Sequence, residues 1–296
     1  MRFCTYLTKG EAHLGIVTDD AVVDLQAIAR RRKMRTVPQD MLGLIAGVSA
    51  ADLRALSREA AQWANAGRPA VPLRSARLLA PIPRPRKNIA CMGRNYVEHA
   101  RETGNQPPAV PVFFTKPPTA VVGPEVPVVH HAVTQQLDYE VELVAVIGRR
   151  GRDIPPERAL DHVFGYTIMN DVTARDLQDR HQQWFKGKSL DTFAPMGPWI
   201  VHRSAIPDPQ RLSLSMRVNG EVRQHSTTAH MIFTVAQLIS VLSAGMTLEP
   251  GDLLATGTPE GVAKGMTPPK WLQPGDVMEA EVEGIGVLRN RVAAPR

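Results

Sequence analysis

From residue 1 to about residue 25, apolar and polar positions alternate around two turn signals, TKGEAH and TDDA, which predicts a small meander of strands ending in VVDL. The stretch DMLGLIAGVSAADLRALSREAAQWANAG reads differently: it is Ala-rich and helical over 50–66, with Asp40 and Ser49 as N-caps and Gly67 as C-cap. A proline-rich segment, RPAVPLRSARLLAPIPRPRKN, follows and predicts a domain boundary, giving a small domain over 1–80 and a larger one over 81–296. Beyond it strands dominate: TAVVG, PVVHH, YEVELVAVIG, VFGYTIMND, PWIVH, LSLSMRVNGEVRQ, DLLATG and DVMEAEVEGIGVLRNRV. Asn219 and Gly220 mark a two-residue hairpin turn. Helices interrupt the strands near 95–103, 173–185 and 234–244, with Thr173 expected to cap the second. Strands and helices without regular alternation predict an α+β fold and argue against a doubly wound sheet.

Composition changes this picture little. The chain has 296 residues, 43% hydrophobic and 22% charged, an ordinary globular balance. Its net charge of +6 admits nucleic acid, a membrane surface or small anions as partners. The densest basic run, ARRRKMR at 29–35, lacks interleaved aromatics and reads as a solvated loop or helix end, so no nucleic-acid partner is expected. Cys4 and Cys91 are too far apart for a disulfide framework or a zinc knuckle, and a reducing cytoplasm fits. No secretory or membrane segment is expected either: MIFTVAQLISVLSAGMTL carries Gln237, Ser240 and Ser243 and has amphipathic helical spacing.

The chemistry begins at LDYEVELVAVIG. Asp138, Glu140 and Glu142 fall at alternate positions and so share one face of a strand, about 6 to 7 Å apart per step. By pattern alone they are equally well the wetted side of a half-buried strand. The apolar run from Leu143 to Ile147 instead argues for burial on both faces, where like charges require a cation or hydrogen-bond donors. Carboxylates alone suit hard cations, Mg²⁺ or Mn²⁺. Asp171, at the end of the strand in GYTIMND, is a further candidate ligand, although alone it reads better as a cap.

His99 and Glu102 in CMGRNYVEHARETG are three apart on a helix, a spacing that suits a carboxylate-oriented general base, although by spacing alone they read better as an ordinary surface pair. The GNQPPAVP that follows cannot continue that helix, so the pair is expected on a segment that orders over substrate. The GKS at 187–189 has Gln at 182 where a phosphate-binding loop needs Gly, which leaves Lys188 as a contact for an anionic substrate. ATGTPEGV is a Gly-rich turn whose amides and Thr258 are placed to receive a carboxylate.

In this order the segments GRNYVEHARE, PVFFTKPPTAVVGP, LDYEVELVAVIG, FGYTIMNDVTARDLQ, QWFKGKSLDTFAPMGPWIV, LEPGDLLATGTPEGV and GDVMEAEVEGIGVLRN resemble the fumarylacetoacetate hydrolase family over about residues 88–290. The resemblance implies a mixed β-sandwich or β-roll catalytic domain behind a small N-terminal domain, a homodimer, and Mg²⁺ or Mn²⁺ held by Glu140, Glu142 and Asp171, without Asp138. It also implies a His99–Glu102 base, Lys188 as the cationic catalytic contact, and a pocket of Arg94, Tyr96, Lys116, Gln178 and Thr258 around a small anionic 2-oxo acid. The expected reaction is carbon–carbon hydrolysis of an acylpyruvate-like 2,4-dioxo acid through a pyruvate enolate. Oxaloacetate-type decarboxylation and 2-hydroxydienoate isomerisation on the same site are the alternatives, and a non-catalytic anion or nucleic-acid binder is a remote one.

Overall fold

In the computed structural model, which describes residues 1–295, the long apolar run lies at the centre of the molecule. Strand Val141–Ile147 is buried at every position and runs antiparallel to Val163–Asn170 on one side and to Leu253–Ala255 on the other. Alternation sends its two sets of side chains into different cores. Val141, Leu143, Ala145 and Ile147 pack with Leu214, Met216, Met278, Ala280 and Leu288. These partners come from the strands Ser213–Val218, Val277–Val282 and Gly286–Ala293 of a second, five-stranded sheet. Val144 and Val146 face the other way, into a core shared with Phe3, Leu14, Ile28, Leu44 and Leu56.

The large sheet has twelve strands. The N-terminal meander Arg2–Thr8, Glu11–Val17 and Ala21–Asp24 joins it through antiparallel pairing of Arg2–Thr8 with Ala194–His202. N-terminal and C-terminal residues therefore share a sheet and a core. The helices of this region start where short polar side chains cap them: Asp40 accepts from the Gly43 amide and Ser49 from that of Asp52. Thr234 and Gln237 form a reciprocal capping box at the start of Val235–Ser243. Asn219 and Gly220, both at positive φ, close the expected hairpin.

The structure corrects three expectations. Strands Ile89–Gly93 and Val112–Lys116 lie where none was predicted from pattern, and they form the end of the large sheet. Their short sequences, IACMG and VFFTK, show no clear period of two. The strand expected to carry Asp138, Glu140 and Glu142 together is interrupted at Tyr139 and Glu140, so Leu137–Asp138 pairs separately with Thr173–Ala174. Thr173 is thus a strand residue and caps nothing. Its hydroxyl donates to the Asp171 carbonyl (2.9 Å), and helix Arg175–Arg180 starts without a side-chain cap.

His202, on the strand that receives the N-terminal meander, supplies a prediction. Burial, then the charged chain terminus and Arg203, push its imidazole down to about 4, and its Nδ1 accepts from the Ser204 amide (3.1 Å). Between the ordinary histidine pKa and about 4, the unfolded chain binds a proton that the folded chain refuses, so stability falls as pH falls through that window. Urea unfolding at pH 7.5 and pH 5 is expected to show the wild type losing about 1–2 kcal/mol more than His202→Gln. Equal losses would remove His202 as the cause.

Candidate metal and active site

The topology brings four chain segments to one point. Antiparallel register sets Val141 opposite Asn170, which joins the Glu140–Glu142 end of one strand to Asp171 at the end of the next. The Asp171 amide donates to the Glu140 carbonyl (2.8 Å), and the Glu140 amide donates to Asn170 Oδ1 (2.9 Å). Parallel pairing of Leu253–Ala255 with Ile89–Gly93 places the segments after both strands at the same end. There Asn95 Nδ2 donates to the Thr256 carbonyl (2.8 Å). Gly257, at φ +93°, has no room for a side chain: a Cβ would lie 2.7 Å from that of Asn95.

Carboxylate oxygens of Glu140, Glu142 and Asp171 lie within 4.8 Å of one another, and all three residues are buried. Their electrostatics differ. Lys188 Nζ donates to Glu140 and to Asp171, 2.8 Å each. Arg175 Nη2 donates to Glu140 (2.6 Å), and Lys116 donates to Asp171 and to the Val172 carbonyl. Burial opposes ionisation of Glu140, but Lys188 and Arg175 outweigh it and hold its carboxyl well below the usual range. Among the described residues Glu142 receives only the Gly257 amide (2.9 Å). Burial, then repulsion from Asp171 and Glu140, pushes its carboxyl well above the usual range. An all-oxygen donor set with one carboxylate short of positive charge fits a hard divalent cation, held by Glu140, Glu142 and Asp171.

Asp138 stands apart from this cluster because of the break at Tyr139 and Glu140. It accepts the amides of Tyr139 (2.8 Å), Ala263 (2.8 Å) and Lys264 (3.1 Å), and Arg175 Nε at 2.8 Å. Arg175 is thereby clamped between Asp138 and Glu140. Sequence reasoning passed over this arginine, although it lies within the quoted DVTARD segment.

His99 Nδ1 sits 2.8 Å from Glu102 Oε1, on the helix Val97–Glu102. The Gly261 amide donates to Glu102 Oε2 (2.9 Å), and His99 is buried. The pair is therefore tied to the protein's own turn. The same turn corrects the reading of ATGTPEGV, because the carboxylates its amides receive belong to the chain itself. The Thr258 hydroxyl donates to the Val141 carbonyl (2.9 Å).

Above the acids lies a cavity of about 70 Å³ lined by Arg94, His99, Glu140, Glu142, Arg175, Gln178, Lys188 and Thr258, with Phe114, Trp184, Asp179 and Lys264 around them. Arg94 stacks on Trp184, its guanidinium 5.1 Å from the ring centre. Two of the expected pocket residues are not part of this lining. Lys116 is fully buried behind Asp171, where its charge balances that carboxylate, and Tyr96 is buried with its hydroxyl without a partner among the described residues, where burial and then the charge of Glu142 push its phenol well up.

Comparison with known proteins follows this geometry closely. Residues 88–293 match the family described as fumarylacetoacetate (FAA) hydrolase C-terminal, so the chain belongs to the fumarylacetoacetate hydrolase family. Along 99% of its length it is 46% identical to the whole of a Bacillus subtilis (strain 168) protein named oxaloacetate tautomerase YisK. Among solved structures it resembles a fumarylacetoacetate hydrolase from Exiguobacterium antarcticum, with TM-score 0.84, 42% identity and both chains fully covered. It also resembles a 2-hydroxyhepta-2,4-diene-1,7-dioate isomerase from Mycobacterium marinum, with TM-score 0.76, 34% identity and coverage of 99% and 98%. The chain is thus an enzyme of this family with a buried acidic site consistent with a divalent metal. No helix among the described residues is long and apolar enough to cross a membrane.

Proposed function

We propose that this protein interconverts the keto and enol forms of an oxaloacetate-like 2-oxo dicarboxylic acid, with Mg²⁺ or Mn²⁺ as cofactor. The observation that carries this reading is the similarity, over essentially the whole of both chains, to a protein named oxaloacetate tautomerase. It favours the isomerising branch of the chemistry over carbon–carbon hydrolysis, which was the first expectation from sequence. The site's residues support the same reading, because tautomerisation asks for one base, a stabilised enolate and no attacking water.

With His99 Nδ1 engaged by Glu102, Nε2 is the nitrogen left to take a proton from the carbon beside the 2-oxo group and to return one to oxygen. Negative charge developing on that oxygen lies in a cavity lined by Lys188, Arg175 and Arg94. A divalent ion bound to the three carboxylates would supply Lewis-acid polarisation of the carbonyl. Lys188 bridges Glu140 and Asp171; burial works against its ammonium, but the pull of the two carboxylates outweighs it and holds the group above its usual range, a fixed positive charge beside the donor set. The homodimer implied by the family is part of the same proposal and is tested by light scattering.

Decay of enol absorbance after dissolving solid oxaloacetate tests the reading. The Mg²⁺-loaded protein is expected to accelerate it without releasing pyruvate, which a lactate dehydrogenase couple would detect. Enol decay at the spontaneous rate would overturn the proposal, and pyruvate release at the same rate would favour decarboxylation. His99→Ala is expected to lower the rate by at least about 100-fold while Mn²⁺ affinity stays the same. Loss of Mn²⁺ binding in that variant would contradict the role of His99 as base.

A further inference from the structure

The mouth of the cavity is crossed by an ion pair that the proposed chemistry does not use. Lys264 Nζ donates to both carboxylate oxygens of Asp179, at 2.8 and 2.7 Å. Lys264 belongs to the short turn Ala263–Gly265, Asp179 to the helix Arg175–Arg180, and both line the cavity. The side chains are 31% and 59% exposed, so the pair sits at the boundary between cavity and solvent. Ion pairs of this exposure are weak and exchange partners readily.

The backbone beneath Lys264 is far more firmly held. Its amide donates to Asp138, which Arg175 ties to Glu140, so the origin of the lysine side chain is fixed relative to the acidic cluster. A diacid entering from solvent therefore meets the Lys264–Asp179 pair on the lining of the cavity.

We infer that Lys264 is the receiver of the substrate's second carboxylate, and that Asp179 holds its place until the diacid displaces it. The inference rests on the reading of the substrate as a 2-oxo dicarboxylic acid. The incoming carboxylate takes over the ammonium from Asp179, so entry of the substrate and recognition of its distal acid are one exchange of partners. Lys188 and Arg175, already committed to Glu140 and its neighbours, are left to the 2-oxo acid end. Arg94 is the other cation at the cavity, stacked on Trp184, and it is the competing receiver that the test must separate.

Two inert ligands that differ only at the far end make the test: malate, which carries the second carboxylate, and 2-hydroxybutyrate, which has a methyl group there. Calorimetric titration of the Mg²⁺-loaded protein is expected to show malate binding at least about tenfold tighter, a difference of about 1.4 kcal/mol. Lys264→Gln should bring the two affinities within about twofold while leaving that for 2-hydroxybutyrate unchanged, and Lys264→Arg should restore most of the preference. Asp179→Asn should tighten malate several-fold and leave 2-hydroxybutyrate alone. A malate preference that persists in Lys264→Gln and disappears in Arg94→Met would overturn the assignment, as would a wild type that binds both ligands equally. The outcome is independent of turnover: a malate preference that depends on Lys264, in a protein that leaves oxaloacetate enol untouched, would refute the proposed reaction and retain the diacid receiver.

Discussion

Glu142→Ala is expected to lose divalent-metal binding while the metal-free protein stays at least as stable as the wild type. The two halves of this result come from one asymmetry. Glu140 and Asp171 are neutralised by Lys188, Arg175 and Lys116, whereas Glu142 is buried against both of them with a single amide for company. Its removal relieves repulsion in the metal-free protein and deletes a ligand from the metal-bound one. Loss of groups merely supporting a ligand costs about 10- to 100-fold in affinity, so loss of a ligand should cost at least about 100-fold.

Thermal unfolding reads both effects. At 100 times Kd a metal adds about 2.7 kcal/mol, or about 4 °C in Tm for a chain of this size, and that increment should vanish in Glu142→Ala. Asp138→Asn, altered two residues before the triad begins, should keep most of it, because Asp138 serves Arg175 and three backbone amides. A metal-dependent rise in Tm that survived in Glu142→Ala would show that the ion binds elsewhere.

Arg175→Met is the second large effect, this time on the fold. The guanidinium is buried and bonded to Asp138, Glu140 and Gln178. Deleting it leaves Asp138 without a cation and Glu140 with Lys188 alone, a loss of about 3–5 kcal/mol for a broken buried pair, or about 5–8 °C in Tm. Arg175→Lys should recover only part of this, since a single ammonium lacks the forked geometry that reaches both acids. Saturating Mg²⁺ should also recover only part, by compensating Glu140 and leaving Asp138 unpaired. A Tm within about 2 °C of the wild type would mean that water or Lys264 takes over the role.

Much of this architecture was legible in the chain. Alternation and turn chemistry located the N-terminal meander, the Asn219–Gly220 hairpin and the capped helices, because each depends on neighbours in sequence. The row of acids in LDYEVELVAVIG was visible for the same reason. The interruption at Tyr139 and Glu140 was not, since it comes from Leu137–Asp138 pairing with a segment more than thirty residues away. Lys116 and Tyr96 were expected to line the pocket, but which way a side chain turns depends on sheet order. Only the pairing of Ile89–Gly93 with Val112–Lys116 sets Lys116 behind Asp171. Arg175 was missed because nothing local distinguishes a buried arginine from the exposed ones on either side of it in sequence.

The turn after Leu253–Ala255 joins these pieces in a way that bears on how substrate range can change. Over residues 257–264 its amides hold Glu142, Glu102 and Asp138, so metal ligand, base and clamp are all fastened by main chain. Few side chains of the turn take part in that holding, and any residue but proline supplies the same N–H at position 264. The segment can therefore be rewritten at that position without dismantling the machinery beneath it. A library randomised at residue 264, screened against acids of different length and charge, would alter which molecule is chosen while leaving in place the parts that act on it.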